Sequence, residues 1–247
     1  MSEGSLIFGH HAVRAMVARS ASRVIEVLLV DERQDKRMNE TRQLVEQAGL
    51  PVKRLGRKDL NHLLPDASHQ GVAARLRVPR QWNEPELPDL VAGAGPRPLV
   101  LILDGVQDPH NLGACMRTAD AVGACAVVVP KDRAASLTPA ARKVASGAAE
   151  TVPLIRVTNL SRTMLLLKEL GLTLVGADEH GPAMYHQTDL SGPLALVMGA
   201  EGRGLRRLTS ERCDVLVRLP MEGIVESLNV SVALGVMAYE AVRQRSL

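Results

Sequence analysis

Short apolar runs alternate along the chain with stretches whose apolar positions recur every three or four residues. In the front third, residues 9–18 carry Val13, Met16 and Val17 at helical spacing. Residues 24–30 form a strand-like run ending at Asp31, and 36–48 read as a helix stopped by Gly49 and Pro51. A short strand at 52–55, a short helix at 57–64 closed by Pro65 and a strand at 72–76 complete an α/β unit of about 75 residues.

The pattern then breaks. Pro79, Pro85, Pro88, Pro96 and Pro98 crowd residues 78–98 together with Gly93, Gly95 and Trp82, so this stretch reads as a linker with a short helical turn near 87–92. The organisation expected is a front unit at 1–77, a linker at 78–98 and a second unit at 99–247. From Leu99 onward strands and helices alternate. Strands are expected at 99–103, 126–129, 154–157, 172–177, 194–198 and 215–219, with helices at 111–122, 139–148, 160–170 and 228–242. Leu99-Val100-Leu101-Ile102-Leu103 is apolar throughout, as a strand buried on both faces must be. The fold class is therefore α/β, with a mostly parallel sheet covered on both faces. There is no internal repeat and no low-complexity tract.

Composition narrows the function. Hydrophobic residues make up 46% and charged residues 23% of the 247 positions, as in an ordinary soluble protein. Aromatic residues are only 2%, which argues against a surface that grips single strands mainly by stacking. The net charge of +3 is unevenly spread: residues 1–80 hold 14 Lys+Arg against 9 Asp+Glu, and the remainder holds 16 against 18. A basic front on a slightly acidic back points weakly to a polyanion-binding front, and chance surface composition explains it equally well. Cys115, Cys125 and Cys213 have no metal-ligand spacing and fit a reducing compartment. The start, Met-Ser-Glu-Gly-Ser, has neither a basic nor an apolar leader segment, so no signal peptide is expected, and no apolar stretch is long enough to span a membrane.

Three segments at the ends of apolar runs carry chemistry-bearing residues. Gly199, Gly202 and Gly204 follow the strand at 194–198 in a GxxGxG spacing, which is neither a dinucleotide fingerprint nor a P-loop. They are compatible with close backbone approach to a ligand and with a plain tight turn. Asp108 or Asn111 suits the cap of the helix that carries Arg117, itself somewhat under two turns beyond Asn111. Ser227 suits the N-cap of the last helix, which leaves Asn229, a poor helix former, unexplained. His10-His11 and His69-Gln70-Gly71 are either structural or RNA-contacting. The seven histidines form no HxxxH or HExxH pattern, so no metal is assigned, and there is no GxSxG nucleophile elbow.

Taken in order, Asn111-Leu112-Gly113-Ala114 with Arg117, Met198-Gly199-Ala200-Glu201-Gly202-Arg203-Gly204, and Ser227-Leu228-Asn229-Val230-Ser231-Val232-Ala233 resemble the three motifs of the SpoU-type (TrmH-type) RNA 2'-O-methyltransferases of the SPOUT superfamily. The resemblance covers the whole chain. Ile7-Phe8-Gly9-His10-His11-Ala12-Val13 and Ser68-His69-Gln70-Gly71-Val72 resemble the L30e-like RNA-binding domain that precedes the catalytic domain in the 23S rRNA guanosine-2'-O-methyltransferases. Val144-Ala145-Ser146-Gly147-Ala148-Ala149-Glu150, Pro153-Leu154-Ile155-Arg156 and Glu240-Ala241-Val242-Arg243-Gln244-Arg245 match the same subgroup.

What the resemblance implies is specific. It implies a SPOUT catalytic domain at 99–247 with a C-terminal trefoil knot around 196–240, preceded by a small L30e-like α/β substrate-binding domain at 1–77. It implies S-adenosylmethionine as cofactor, contacted by Gly199, Glu201 and Gly202, by Leu219, Pro220 and Met221, and by Leu228 and Asn229. It implies a homodimer in the cytoplasm, without metal or membrane, that methylates the ribose 2'-hydroxyl of one guanosine in the peptidyl-transferase P-loop of 23S rRNA. The last helix carries Val232, Val236, Met237, Tyr239 and Val242, a stripe that serves either an interface or the core.

Within that resemblance Arg117 has been cast as a general base. A neutral guanidine at pH 7 costs about 7 kcal/mol, so a charged arginine that grips phosphate and steadies a developing oxyanion is the better physical assignment. Ser227 and Asn229 then orient the 2'-hydroxyl and Arg117, Asn111 holds the motif loop or the ribose, and Glu201 fixes Arg117 or a backbone amide. Rival readings are a 2'-O-methyltransferase for tRNA or another rRNA nucleotide, and a non-catalytic RNA-binding assembly factor. A nicotinamide-dependent dehydrogenase is disfavoured by the missing GxGxxG.

Overall fold

Successive side chains of the strand at residues 24–30 face opposite ways, and the front unit is built around that fact. Its elements are β1 (Ser5–Phe8), α1 (His10–Ser20), β2 (Val24–Val30), α2 (Lys36–Gln47), β3 (Val52–Leu55), α3 (Arg57–Leu63) and β4 (Val72–Leu76). The sheet order is β1-β4-β2-β3, with β2 and β3 parallel and β4 antiparallel to both its neighbours. Val27 and Leu29 pack with Val13, Val17, Met38 and Val45 of α1 and α2, whereas Leu28 and Val30 pack with Leu60 of α3. The period of two thus serves two cores, which is why β2 reads as one apolar run. β1 has no counterpart among the expected strands. Its Leu6 and Ile7 divide between the same two clusters.

The structure is a computed structural model describing residues 5–30, 35–65, 67–77, 82–200, 202 and 204–246. Asp31, the expected end of the strand signal at 24–30, lies outside the described residues. The chain divides into two compact units, residues 1–80 and 81–247. No helix among the described residues is long and apolar enough to cross a membrane.

In the second unit the elements are α4 (Leu87–Gly93), β5 (Leu99–Asp104), α5 (Pro109–Ala121), β6 (Ala126–Pro130), α6 (Pro139–Ala145), α7 (Ala148–Thr151), β7 (Leu154–Val157), α8 (Leu160–Glu169), β8 (Thr173–Ala177), β9 (Ala183–Met184), β10 (Leu194–Gly199), α9 (Arg207–Arg212), β11 (Val215–Arg218) and α10 (Val230–Arg245). They build a seven-stranded sheet in the order β7-β6-β5-β10-β8-β11-β9, with every neighbouring pair parallel. Leu99, Leu101 and Leu103 face α5 and α10, while Val100 and Ile102 face α4 and α8. Both faces are covered, so the central strands need no polar side.

Two expectations need correction, and two short elements were not expected. From Trp82 onward the proline-rich stretch is part of the second unit rather than a free linker: Trp82 pairs with Ile155, and Leu87 and Val91 of α4 are buried in its core. The helix expected at 139–148 is two helices, because Ser146 and Gly147 both adopt left-handed backbone (φ 52° and 99°). The short elements β9 and α9 carry too few residues to show a period.

Two of the histidines singled out in the front unit are internal braces. His10 is buried and its Nδ1 donates to the Thr41 hydroxyl (2.9 Å), which itself donates to the Arg37 carbonyl (2.9 Å). His69 is also buried; its Nδ1 accepts from the Gly71 amide (3.1 Å), so Nε2 carries the proton and donates to Asn61 Oδ1 (2.7 Å). His11 and Gln70 beside them are exposed.

Burial, reinforced by the Arg57 cation, pushes the His69 imidazole below its ordinary value of 6.5. A folded state that disfavours the proton is stabilised above the ordinary imidazole range and loses that contribution as pH falls through and below it. Urea midpoints measured from pH 7.5 down to about 5.5 should therefore fall. In His69→Gln, whose amide does not titrate, the midpoint should start lower and vary less across that window.

Candidate active site

Between β5 and β10 the direction of strand addition reverses: β6 and β7 extend the sheet on one side of β5, and β10, β8, β11 and β9 extend it on the other. In open parallel sheets a ligand crevice opens at the carboxyl ends of the strands at such a reversal. Here those ends are Asp104 and Gly199, which stand opposite one another in register. The first sequence motif, from Asn111, follows Asp104 by seven residues, and the second, from Met198, runs through Gly199.

After Asp104 the chain turns at Gly105 and enters α5 through Asp108, whose carboxylate accepts from the His110 amide (2.9 Å), with Pro109 in the first turn. Asn111 lies in that first turn. Gly113 is demanded by packing: a Cβ there would stand 2.4 Å from the Ala141 carbonyl oxygen and 2.9 Å from Val144 Cβ on α6. Arg117 is exposed further along α5 and makes no hydrogen bond or ion pair with the described residues. Its side chain borders a cavity of about 350 Å³ that Ala114, Val144, Ser231 and Tyr239 also line.

The glycine-rich segment is a turn closed on itself. Ala200 and Gly204 exchange backbone hydrogen bonds (3.1 and 2.9 Å), and Gly202 and Gly204 take left-handed backbone (φ 71° and 61°). Gly199 has no room for a side chain, because a Cβ would stand 2.1 Å from the Gly204 carbonyl carbon. Glu201, a candidate catalytic and cofactor residue, lies outside the described residues.

A feature that the motifs did not reveal ties this turn to β5. The buried Asp104 carboxylate accepts from Arg206 Nε (2.6 Å) and from the Arg206 amide (3.2 Å), and a second guanidinium nitrogen pairs with the same carboxylate. Its only sequence signal is a charge at the end of an otherwise apolar strand. The buried carboxylate needs this compensation, and Arg206 supplies it while anchoring the segment that follows the glycines.

The third motif corrects the sequence reading. The helix cap is Asn229, not Ser227: Asn229 Oδ1 accepts from the Ser231 amide (2.9 Å) and from the Ser231 hydroxyl (2.7 Å). Asn229 is therefore outside the helix, which begins at Val230, and its helix propensity is irrelevant. Its amide nitrogen donates to Asn111 Oδ1 at 2.9 Å, joining positions 118 residues apart. Ser227 and Leu228 are exposed, and no hydrogen bond links Ser227 to another described residue.

The approach to this cap is open. Residues 219–228 make no hydrogen bond with any described residue, so their backbone polar groups remain available. Leu219 and Met221 are half-buried, Pro220 is exposed, and nothing would lie within 4 Å of a Cβ on Gly202, Gly204 or Gly223. The arrangement offers apolar flanks beside unpaired amides and carbonyls, which suits a flat heteroaromatic ligand with polar edges. Among the described residues no group of His, Cys, Asp and Glu could hold a metal ion.

The chain is similar to known proteins along its whole length. The family described as SpoU rRNA Methylase matches residues 98–239, and that described as RNA 2'-O ribose methyltransferase substrate binding matches residues 6–82. The chain is 53% identical over 243 residues to the 23S rRNA (guanosine-2'-O-)-methyltransferase RlmB of Photobacterium profundum, covering 98% of each chain. It is 52% identical over 246 residues to the RlmB of Escherichia coli (strain K12), covering 100% of each. Among solved structures it is similar to the SpoU methyltransferase AviRb from Streptomyces viridochromogenes in complex with AdoMet, with a TM-score of 0.73, 26% identity and coverage of 99% of this chain and 91% of that one. The TrmH/SpoU tRNA modifying enzyme of A. aeolicus is 30% identical over 66% of this chain and 84% of its own, with a TM-score of 0.57.

The two roles of Asn229 can be separated. Asn229→Asp keeps the cap but removes the donor to Asn111, whereas Asn229→Ala removes both. Denaturant unfolding should show a loss of about 1 kcal/mol for the lost cap in the alanine variant and a smaller loss in the aspartate variant. Methyl transfer should fall in both, since both release the third motif from the first.

Proposed function

The chain belongs to the SpoU rRNA Methylase family, and on that premise we propose that it transfers a methyl group from S-adenosylmethionine to the ribose 2'-hydroxyl of a guanosine in 23S rRNA. The observation that carries this reading is the hydrogen bond from Asn229 to Asn111, which brings the third motif to the first at the carboxyl end of the central strands. Identity of 52–53% along the full chain to the two RlmB enzymes supports the guanosine and the 23S rRNA.

The loops fit the cofactor. Leu219 and Met221 offer apolar contact to an adenosyl group, and the open backbone around Gly202, Pro220 and Leu228 offers hydrogen bonds to its edges. Gly199 supports the turn, and Asn229 and Glu201 complete the set. When bound, S-adenosylmethionine supplies an electrophilic methyl group on a sulfonium.

The protein supplies orientation and charge. Arg117, exposed beside the cavity, grips the phosphate next to the target ribose and steadies negative charge developing on the 2'-oxygen. Asn229, held by Asn111, orients the hydroxyl together with Ser227. Glu201 fixes Arg117 or a backbone amide. The front unit, as an L30e-like domain, takes a folded RNA element by shape and phosphate contacts, while the crevice receives one splayed nucleotide. The trefoil knot expected around 196–240 belongs to the same reading: the chain adds β11 beyond β8 and then returns to pack α10 against the α5 side of the sheet. Action on 23S rRNA puts the protein in the cytoplasm.

The same reading includes a homodimer. Of the apolar stripe on α10, Met237 is fully buried, whereas Val232, Val236 and Tyr239 are 51%, 36% and 55% exposed at helical spacing. Tyr239 also lines the Arg117 cavity, so pairing on this face would enclose the candidate site.

Transfer of labelled methyl to unmodified 23S rRNA and to bulk tRNA tests the reaction. The expected result is label on one 23S guanosine 2'-oxygen, reduced by about 10²–10³ in Arg117→Ala. Label on tRNA alone would overturn the substrate, and cofactor binding without transfer to either would favour an assembly factor. The pH–rate profile should contain no ionisation near neutrality that Arg117→Ala abolishes. Sedimentation should give a dimer for the native chain and a monomer for Val236→Arg; a native monomer would remove the interface.

A further inference from the structure

Most cations of the second unit are engaged within it. Arg142 pairs with Glu150, Lys168 with Asp214, Arg206 with Asp104, Arg207 with Glu211 and Arg243 with Glu240. The side chains of Arg117, Lys131, Arg133 and Lys143 make no hydrogen bond or ion pair with any described residue, and all four are exposed. Lys131 and Arg133 lie on the loop from β6 to α6, Lys143 lies on α6, and α6 is the helix packed against Gly113 on the Arg117 helix.

That loop is a built platform. Arg156 on β7 donates to the carbonyls of Lys131 (2.6 Å) and Ala135 (3.4 Å), fastening the loop at both ends. The Ala135 amide donates to the Val106 carbonyl (2.8 Å), tying the loop to the segment that leads into Asp108 and Asn111. Arg133 adopts left-handed backbone (φ 57°), which glycine takes freely and a side chain takes under strain. Its carbonyl oxygen is 4.0 Å from where a Cβ on Gly105 would stand, at the exit of β5. Asp132 is the one acid between residues 131 and 145, and the segment remains cationic after Glu150 has neutralised Arg142.

We propose that the β6–α6 loop, through Lys131 and Arg133 with Lys143 behind them, binds phosphates of the RNA strand flanking the nucleotide presented to Arg117. Cations strung along one rigid segment suit a polyanion, and a single carboxylate would occupy only one of them. The proposal deepens the RNA-methylation reading and rests on it. It divides recognition: the front unit selects the RNA element, and this loop sets the strand beside the crevice.

The test uses the full chain and a fragment of unmodified 23S rRNA. Lys131→Gln combined with Arg133→Asn removes both charges, and asparagine tolerates the left-handed backbone. RNA affinity at fixed salt should weaken about tenfold, and the slope of log K against log salt should become shallower by roughly 1 to 2. Binding of S-adenosylhomocysteine by calorimetry and the unfolding midpoint should match the native chain, and Lys131→Arg with Arg133→Lys should restore RNA affinity. Unchanged affinity and slope in the double variant would overturn the platform, as would an equal loss in the control Arg207→Gln. Failure of the native chain to transfer methyl, with the loop-dependent salt slope intact, would remove the methyltransferase reading and leave the platform standing.

Discussion

β5 and β10 lie parallel in register from Leu99 beside Leu194 to Asp104 beside Gly199, and that pairing brings the segment leading to Asn111 beside the glycine turn. Both strands are buried on both faces, so neither can slip by one residue without placing large side chains against the wrong cluster. Their carboxyl ends are held level, and the segments leaving them emerge side by side. The buried Asp104 carboxylate adds a second constraint, because it must find a cation and finds it in Arg206, just past the glycine turn. The strand that positions the first motif therefore also anchors the second.

Residues in the motifs divide between packing and chemistry. Gly113 and Gly199 are glycines because another part of the chain occupies the volume of a side chain, at the Ala141 carbonyl and the Gly204 backbone respectively. Gly202 stands in open space and is glycine for its left-handed backbone. Asn229 does two things with one amide: its oxygen caps α10 and its nitrogen reaches Asn111. Neither aspartate nor serine offers both an acceptor for the cap and a donor across the crevice with that reach.

Charge is arranged on the same principle. Along α9 and the outer turns of α10, cations are neutralised by neighbours such as Glu211 and Glu240. The Glu240 carboxyl is held at about 2, chiefly by hydrogen bonds from Arg243 and Gln244. Around α5, α6 and the loop before α6, Arg117, Lys131, Arg133 and Lys143 are left without such partners among the described residues. The chain thus carries little net charge while presenting local positive potential where an anionic substrate would lie.

Period and punctuation in the sequence determined most strands and the longer helices of both units, because each central strand is a run of buried residues and helices such as α2 and α3 end at a stop signal. β2 and β4 were legible to the residue, and the α/β class followed from alternation alone. Short pieces were not legible: β1, β9 and α9 are too brief to display a period, and the break at Ser146 depends on backbone that no propensity specifies. For the site, residue order marked Asn111, Arg117 and Asn229 as candidates but misassigned the cap of the last helix. Only the tertiary structure decided that Asn229 meets Asn111, that Asp104 draws in Arg206, and that Val232 faces outward while Met237 faces inward. These are contacts between positions far apart in the chain, settled by which strands become neighbours, and local pattern carries no information about that choice.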